Sequence, residues 1–235
     1  MADVALLEEV KTADELSETS EQIDDYVPDP KGTWKLKKQP VYNVLKRVGD
    51  ILCSLIAITV LFIPLLVVAI IIMVDDFGSP IYSHMRIGKN GKQFKMYKFR
   101  SMYKDADARR NALMTSNESD GVTFKMENDP RITKIGRFIR KTSIDELPQL
   151  INILKGDMSV IGPRPFIPSE QEKLPFDRLL VNPGLSCYWQ VGGKNKLTRK
   201  QADELDKKYV EHHNVWVDIK IIFLTFKTVL KSDNT

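Results

Sequence analysis

The longest apolar run in the chain extends from Ile51 to Val74 and contains no charged side chain. At about 1.5 Å per residue, such a helix would be on the order of 36 Å long, enough to cross a hydrocarbon core of about 30 Å. Pro64 lies near its middle, where a proline removes a helix hydrogen bond and clashes with the preceding turn. The run therefore predicts a membrane segment, residues 40–80, with a helix that is kinked or broken at Pro64.

Basic residues flank this apolar run on both sides. Lysine and arginine tend to stay on the cytoplasmic side of a bilayer, and a single span would place one flank on the other side. A re-entrant helix, which enters and leaves on the cytoplasmic face, satisfies both flanks and is the favoured prediction. A single span and a buried helix of a soluble protein are the alternatives.

Downstream, apolar and polar residues alternate with period two from Gln93 to Arg100, and Lys89–Asn90–Gly91 offers turn chemistry. The segment from Ile81 to Met102 therefore predicts a β-hairpin. The polar segment from Asp105 to Asp120 predicts a helix followed by a loop.

Helical spacing of apolar residues returns in the second half of the chain. Ile132, Ile135 and Ile139 predict one helix, and the segment from Tyr209 to Lys231 predicts another. The second has lysines among its apolar residues, so it fits an interfacial amphipathic helix or a helix that packs on the core. The predicted fold class is mixed α/β, mostly helical with a small β-hairpin, in which a membrane-embedded re-entrant helix carries a cytoplasmic catalytic domain of residues 81–235.

Charge is distributed unevenly along the chain. Residues 1–30 contain ten acidic side chains and one basic side chain, although the net charge of the whole chain is +4. Residues 1–39 are predicted to be an acidic, disordered extension, with a weak helix as the alternative. The basic remainder fits anionic lipid head groups, nucleotides or nucleic acid. The two cysteines lie in no Cys/His cluster, so neither a disulfide framework nor a zinc site is indicated.

The adjacent carboxylates Asp145 and Glu146 are the main candidates for chemistry. Pro148 is tolerated in a first helical turn and Gly156 is a C-terminal signal, so a helix over Leu147 to Leu154 should begin close to Asp145. Backbone N–H groups and the helix dipole at that end favour anions, including phosphate oxygens. For an isolated pair, a helix cap followed by a first-turn acid would be the simpler interpretation.

The residues around the pair favour a phosphate site. Pro163 and Pro165 stiffen the loop that presents Arg164, and a guanidinium held in this way suits the binding of phosphate. Lys98, Arg100 and Arg140 could supply further positive charge, although each alone could equally be a solvated surface residue.

Four stretches of the sequence are similar to one known family. They are Lys46–Asp50 (KRVGD), Met96–Met102 (MYKFRSM), Asn128–Pro165 (NDPRITKIGRFIRKTSIDELPQLINILKGDMSVIGPRP) and Asn182–Val191 (NPGLSCYWQV). With them the chain resembles the bacterial monotopic phosphoglycosyl transferases, also called bacterial sugar transferases or polyprenyl-phosphate sugar-1-phosphate transferases, in their minimal catalytic-domain form. The match covers about residues 40–232.

The resemblance implies a reaction. Members of the family move a sugar 1-phosphate from a nucleotide-diphosphate sugar, commonly a UDP-sugar, to a polyprenyl phosphate such as undecaprenyl phosphate. This step starts an exopolysaccharide, capsule, O-antigen or glycoprotein glycan at the cytoplasmic face of the bacterial inner membrane. The implied partners are these two substrates and membrane lipid, and the sequence leaves homo-oligomerisation open.

The resemblance also implies residue roles. Asp145 matches the nucleophilic aspartate, Glu146 its magnesium-associated partner, and Arg140 and Arg164 match phosphate-binding arginines. From the chemistry of oxygen ligands, Mg²⁺ would be held by Glu146 and Asp157. The further expected substrate-binding residues are Pro163, Lys98, Arg100 and Gln190.

Two departures from the family pattern stand out. A Ser–Pro pair often breaks the family's re-entrant helix, and this chain has Ile63–Pro64 in its place. The usual Thr–Gly–Trp–Ala–Gln segment is replaced by Ser186–Cys187–Tyr188–Trp189–Gln190, which leaves the donor unspecified.

The competing functional class is a non-enzymatic membrane-anchored adaptor that binds anionic lipid, and the Asp145–Glu146 pair between arginines argues against it. Nucleic-acid binding is not predicted, because the basic residues lack a stacking platform or a recognition motif.

Overall fold

The computed structural model describes residues 34–110, 126, 129–192 and 197–230. The helices are α1 Pro40–Asp75, α2 Ala106–Arg110, α3 Lys134–Lys141, α4 Gln149–Lys155, α5 Pro168–Gln171, α6 Tyr188–Val191, α7 Arg199–His212 and α8 Val215–Leu230. The strands are β1 Ile81–Ile87, β2 Gln93–Phe99, β3 Ser159–Ile161 and β4 Gly184–Ser186. Short 3₁₀ turns are formed by Lys89–Gly91, Ile144–Glu146 and Phe176–Leu180. These elements confirm the mostly helical α/β class with a small hairpin.

Two predicted segments fall largely outside the described residues. They are the acidic extension, of which residues 1–33 are not described, and the polar segment after Arg110. The described start of that polar segment, Ala106–Arg110, is helical as predicted.

Helix α1 carries the apolar run and is, among the described residues, the one helix long and apolar enough to cross a membrane. Of its most apolar window, 6% is buried against the rest of the protein. Helical structure continues through Pro64, so the predicted break does not interrupt the element. A proline removes one hydrogen bond, and apolar contacts hold the helix to the domain on both sides of it, through Ile58 and Leu65.

The predicted hairpin is confirmed. Strands β1 and β2 pair antiparallel, from Ile81 opposite Phe99 to Ile87 opposite Gln93. Asn90 and Gly91 both have positive φ in the turn, as its sequence indicates. The inner face of the hairpin is part of the hydrophobic core.

The core has two clusters that meet α1. Phe94, Met96, Leu150, Ile153 and Met158 form the first, which joins the hairpin to α4. Ile72, Phe99 and Ile139 form the second, which joins the C-terminal half of α1 to the hairpin and α3. Ile139 is buried, as the spacing of the isoleucines predicts.

Strands β3 and β4 form a short parallel pair that the sequence does not predict. Each strand has three residues, too few for period-two alternation to be recognised. Gly162 follows β3, and a Cβ at this position would lie 2.3 Å from the carbonyl oxygen of Asn182. A glycine is therefore required where the loop after β3 passes the segment leading into β4.

The C-terminal helical segment is divided. Helix α7 ends at His212 and α8 begins at Val215, with the side chain of Asn214 accepting hydrogen bonds from the backbone N–H groups of Trp216 (2.9 Å) and Val217 (3.1 Å). Asparagine is a strong N-cap residue, so this boundary has a local cause. In α8, Ile221 is fully buried whereas Trp216 and Phe223 are more than two-thirds exposed.

Candidate active site

The carboxylates of Asp145 and Glu146 lie in a tight turn between α3 and α4. Ser143 has a left-handed backbone conformation, with φ of 57°, which reverses the chain after α3. A 3₁₀ turn over Ile144–Glu146 follows, and α4 begins only at Gln149, behind Pro148. The carboxylates therefore precede α4 by one turn, whereas the sequence predicted them at its first residues. Asp145 is 8% exposed.

Two cations from different elements meet Glu146. The Nζ atom of Lys98, on β2, lies 2.7 Å from Oε1 of Glu146 and 3.8 Å from Oδ2 of Asp145. The Nη2 atom of Arg164 donates to the same Oε1 of Glu146 at 3.0 Å. The structure thus brings together four of the predicted residues: Asp145, Glu146, Lys98 and Arg164.

The electrostatics distinguish the two carboxylates. Burial raises the pKa of Asp145 above that of an ordinary aspartate, while the positive charge of Lys98 acts in the opposite direction. The neighbouring charge of Glu146 also raises the pKa of Asp145. Glu146 raises the pKa of Arg164 in turn, so that guanidinium stays charged. A partly desolvated carboxylate beside fixed cations can act as a nucleophile toward a phosphate whose charge the cations offset.

The loop that carries Arg164 is fixed from behind. The backbone N–H of Gly184 donates to the carbonyl oxygen of Pro163 at 2.9 Å, and Pro163 is buried. Arg178 donates to the carbonyl oxygen of Arg164 at 3.1 Å, and its guanidinium forms a buried ion pair with Asp206 at 2.5 Å. Pro163 therefore contributes by fixing the backbone of the loop. Together, the two prolines and Arg178 hold the side chain of Arg164 toward Glu146.

Arg140 and Gln190 are two further predicted substrate-binding residues. Arg140 is exposed at the end of α3, and its charge lowers the pKa of Asp145. The side-chain oxygen of Gln190, on α6, accepts a hydrogen bond from Sγ of Cys187 at 3.1 Å. Cys187 is buried and close enough to Arg164 to affect its pKa.

Arg100 and Asp157 lie elsewhere. Strand β2 ends at Phe99, and the guanidinium of Arg100 turns to the C-terminal end of α1, where it contacts the carbonyl oxygens of Ile72 and Asp76 and the carboxylate of Asp76. Asp157 follows Gly156, at the opposite end of α4 from the carboxylate pair. Its neighbours are Asn152 (3.5 Å) and Lys155 (3.6 Å). The structure brings neither residue to the Asp145–Glu146 turn.

Two residues that sequence reasoning did not select line a small pocket with Lys98 and Arg164. They are Arg86, on β1, and Gln149, the first residue of α4, which is 3% exposed. For Arg86 the informative observation is the strand register. Arg86 pairs with buried Phe94 and so lies on the core-facing side of the hairpin, where an arginine is unusual.

The chemistry of the carboxylate pair fits Mg²⁺. Magnesium usually takes one or two protein carboxylates and completes its coordination with water and substrate phosphates. Glu146 and Asp145 offer two adjacent carboxylates, and the described residues contain no group of three or more metal-binding side chains. Asp157 cannot join these two ligands from the far end of α4.

A family model described as bacterial sugar transferase matches residues 41–232. The chain belongs to this family. The match includes the Asp145–Glu146 turn, the hairpin with Lys98 and the loop with Arg164, and it confirms the resemblance that the four sequence stretches indicate.

Three relatives illustrate the range of this sugar transferase family. An undecaprenyl-phosphate galactose phosphotransferase of Salmonella typhimurium is 44% identical over 80% of the chain and 41% of its own length. A UDP-galactose-lipid carrier transferase of Erwinia amylovora is 43% identical over 80% of the chain and 41% of its own length. The exopolysaccharide production protein ExoY of Rhizobium meliloti is 36% identical over 88% of the chain and 93% of its own length. The chain thus spans about two-fifths of the first two relatives and nearly all of the third.

Proposed function

We propose that the protein transfers a sugar 1-phosphate from a nucleotide-diphosphate sugar, of the UDP-sugar class, to a polyprenyl phosphate such as undecaprenyl phosphate. The observation that carries this proposal is the buried carboxylate of Asp145 beside Glu146, with Lys98 and Arg164 around them. The names of the relatives supply the acceptor and donor classes. The product would be the first lipid-linked intermediate of a bacterial glycan such as an exopolysaccharide.

In the first displacement, a carboxylate oxygen of Asp145 attacks the phosphorus that carries the sugar. The bond from that phosphorus to the bridging oxygen breaks, and the nucleoside monophosphate leaves with the electron pair. The result is an acyl phosphate on Asp145 that carries the sugar. Lys98 and Arg164 stand where they can offset the charge that develops on the phosphate oxygens.

In the second displacement, an oxygen of the polyprenyl phosphate attacks the same phosphorus. The acyl–phosphate bond breaks, the carboxylate of Asp145 is regenerated, and a polyprenyl diphosphate sugar leaves. Because there are two displacements, a single active site at the Asp145–Glu146 turn can react first with a water-soluble donor and then with a membrane-bound acceptor.

Glu146, with Asp145 beside it, is the proposed ligand of Mg²⁺. When bound, the ion would neutralise charge on the donor diphosphate. We leave Asp157 out of this ligand set, and Arg100 out of the substrate-binding set, because both lie away from the turn.

Helix α1 is proposed to re-enter the cytoplasmic face of the inner membrane. Near its N-terminus, Lys46 pairs with Asp218 of α8 at 2.7 Å, and at its C-terminal end Asp76 contacts Arg100. Both ends are thus held by the same domain. A helix that spans the bilayer would carry one end to the opposite side, away from the domain, so these contacts support re-entry.

The reaction is tested with the full chain in detergent or nanodiscs. The assay supplies a UDP-sugar radiolabelled in the sugar, undecaprenyl phosphate and Mg²⁺, and measures labelled lipid and free UMP. Wild type should form both in equal amounts, and chelator should stop the reaction until Mg²⁺ is restored. Asp145→Asn should form neither, because an amide is not a nucleophile toward phosphate.

Asp105→Asn is the matched control. It changes an exposed aspartate paired with Arg109, so its turnover should equal that of wild type. If wild type forms no lipid product with any UDP-sugar in a panel, yet binds anionic vesicles, the non-enzymatic adaptor replaces the enzyme. Full turnover in excess chelator would refute the metal role.

A further inference from the structure

Two cations of the hairpin, Lys98 and Arg86, line the small pocket beside the Asp145–Glu146 turn. In the hairpin register, Arg86 pairs with Phe94, and Met96 and Lys98 follow Phe94 on the same face of β2. At about 3.4 Å per residue, Lys98 is roughly 14 Å along the strand from Phe94. Lys98 reaches Asp145 and Glu146, and Arg86, further along the hairpin, lines the same pocket.

Arg164 lines the same pocket. It donates to Glu146 at 3.0 Å, and its charge acts on Arg86. Lys98 and Arg164 therefore contact the carboxylates directly, and Arg86 lines the same pocket as these two cations. A phosphate held by Lys98 and Arg164 would face the nucleophile, and a second phosphate bonded to it would extend toward Arg86.

The guanidinium of Arg86 is poorly paired for its burial. Nη1 lies 3.5 Å from Glu170, a long ion pair, and Nε is buried with no hydrogen-bond partner among the described residues. Burial lowers the pKa of Arg86, and the positive charge of Arg164 lowers it further. Leaving a buried cation so incompletely paired is costly. An anion placed between Arg86 and Arg164 would satisfy the free donor and relieve the repulsion.

We propose that Arg86 binds the nucleotide-side phosphate of the donor, the one that departs in the nucleoside monophosphate. This inference rests on the proposed function and extends it to the leaving group. When the bridging P–O bond breaks, the bridging oxygen keeps the electron pair and stays on the departing phosphate. Arg86 donates to that phosphate and stabilises the charge that forms on it. Gln149, whose buried amide lines the same pocket, stands beside it.

The test uses UMP as the probe and measures its affinity for the full chain by calorimetry in detergent with Mg²⁺. Arg86→Gln should weaken UMP binding by about 10- to 100-fold, the range of one lost charge-assisted hydrogen bond. Arg86→Lys should recover part of this loss. Lys89→Gln, an exposed cation in the turn of the same hairpin, should bind UMP as wild type does.

A second variant separates binding from a structural role. Glu170→Gln removes the carboxylate that contacts Arg86 and keeps the guanidinium, so UMP should bind at least as tightly as in wild type. If Arg86 served only to pair with Glu170, the melting temperature and the UMP affinity would fall alike in Arg86→Gln and Glu170→Gln. That result would overturn the proposal.

The two half-reactions distinguish the nucleotide phosphate from the lipid phosphate. Protein already labelled with sugar phosphate should transfer its label to undecaprenyl phosphate at the same rate in wild type and Arg86→Gln. Unchanged UMP affinity in Arg86→Gln would refute the inference. A loss confined to this second step would refute it as well and assign Arg86 to the acceptor. Failure of the proposed function itself would show differently, as UMP binding by wild type without any labelled lipid.

Discussion

At the residue scale, the site is organised by Glu146, which accepts from Lys98 and Arg164 at once. The motif around Asp145 and Glu146 allowed these four residues to be predicted from sequence. Arg100 resembles Lys98 in sequence, two positions further along an alternating run. Because β2 ends at Phe99, Arg100 is free to turn toward α1 instead. Arg86 was not predicted, since only the strand register shows that it lies on the core-facing side of the hairpin.

Arg164→Lys tests the geometry of the phosphate clamp. Lysine keeps the positive charge and loses the planar fork that binds phosphate oxygens in pairs. We expect kcat/KM to fall by an amount that corresponds to roughly 2–4 kcal/mol, comparable to the loss of one charge-stabilising donor. Arg109→Lys, in an exposed ion pair with Asp105, is the control and should leave kcat/KM unchanged. Near-normal turnover of Arg164→Lys would show that a point charge is sufficient.

The pH dependence of the first half-reaction tests the environment of Asp145. Its carboxylate must be ionised to attack, and burial raises its pKa, so covalent labelling should be lost on acidification at a higher pH than an exposed aspartate would give. Lys98 lowers that pKa, so Lys98→Met should move the acidic limb to still higher pH. The measurement is the rate of labelling by donor between about pH 4 and pH 9. A limb that moves to lower pH in Lys98→Met would contradict the assignment.

At the scale of elements, the attachment of α1 decides where the site lies relative to the membrane. The guanidinium of Arg47 donates to the carbonyl oxygens of Ile153 (2.6 Å) and Leu154 (2.8 Å), at the end of α4. Asp50 accepts from Ser159 (2.6 Å) and from the backbone N–H of Val160 (3.0 Å) on β3. The uncharged apolar run predicts that α1 exists, but it does not indicate which polar residues near the run face the domain. The division between α7 and α8 was missed for a related reason, because apolar spacing continues across Asn214.

Asp50→Ala tests this attachment. It removes the acceptor of one buried and one partly buried hydrogen bond and leaves the Val160 N–H unsatisfied, at a cost of about 1–3 kcal/mol. The melting temperature of the purified protein should fall by roughly 3–10 °C. Asp75→Ala changes an exposed aspartate at the other end of α1 and should leave the melting temperature unchanged. Equal stability of the two variants would remove Asp50 from the attachment.

At the scale of the whole molecule, exposed apolar residues lie along α1 and on α8, where Trp216, Phe223 and Phe226 face away from the core. Surface of this kind is expected of a protein whose surroundings include lipid. The sequence predicted an apolar helix and an amphipathic C-terminal segment. It could not predict that Asp218 on α8 would bind Tyr42 and Lys46 near the start of α1, because that contact joins residues far apart in the chain.

Re-entry of α1 is tested by cysteine labelling in intact cells and in inverted membranes. Reporters at Lys38→Cys and Lys89→Cys, on opposite sides of α1 and both exposed, are placed in a chain that lacks Cys53 and Cys187. Both should react with an impermeant reagent only from the cytoplasmic side. Labelling of either reporter from the periplasmic side would establish a span. Pro64→Leu should increase the tendency to span, because it restores an uninterrupted hydrogen-bond ladder.

The covalent intermediate is the central claim, and intact-protein mass spectrometry tests it most directly. Wild type is incubated with donor and Mg²⁺ without polyprenyl phosphate. The protein should gain the mass of one sugar phosphate on the peptide that contains Asp145, release about one UMP per active site and then stop. Adding undecaprenyl phosphate should remove the sugar phosphate from the protein. The Glu146→Gln variant should acquire the sugar phosphate slowly, and the Asp145→Asn variant should not acquire it. An unlabelled wild type that releases UMP only when both substrates are present would contradict the account and establish a direct single displacement.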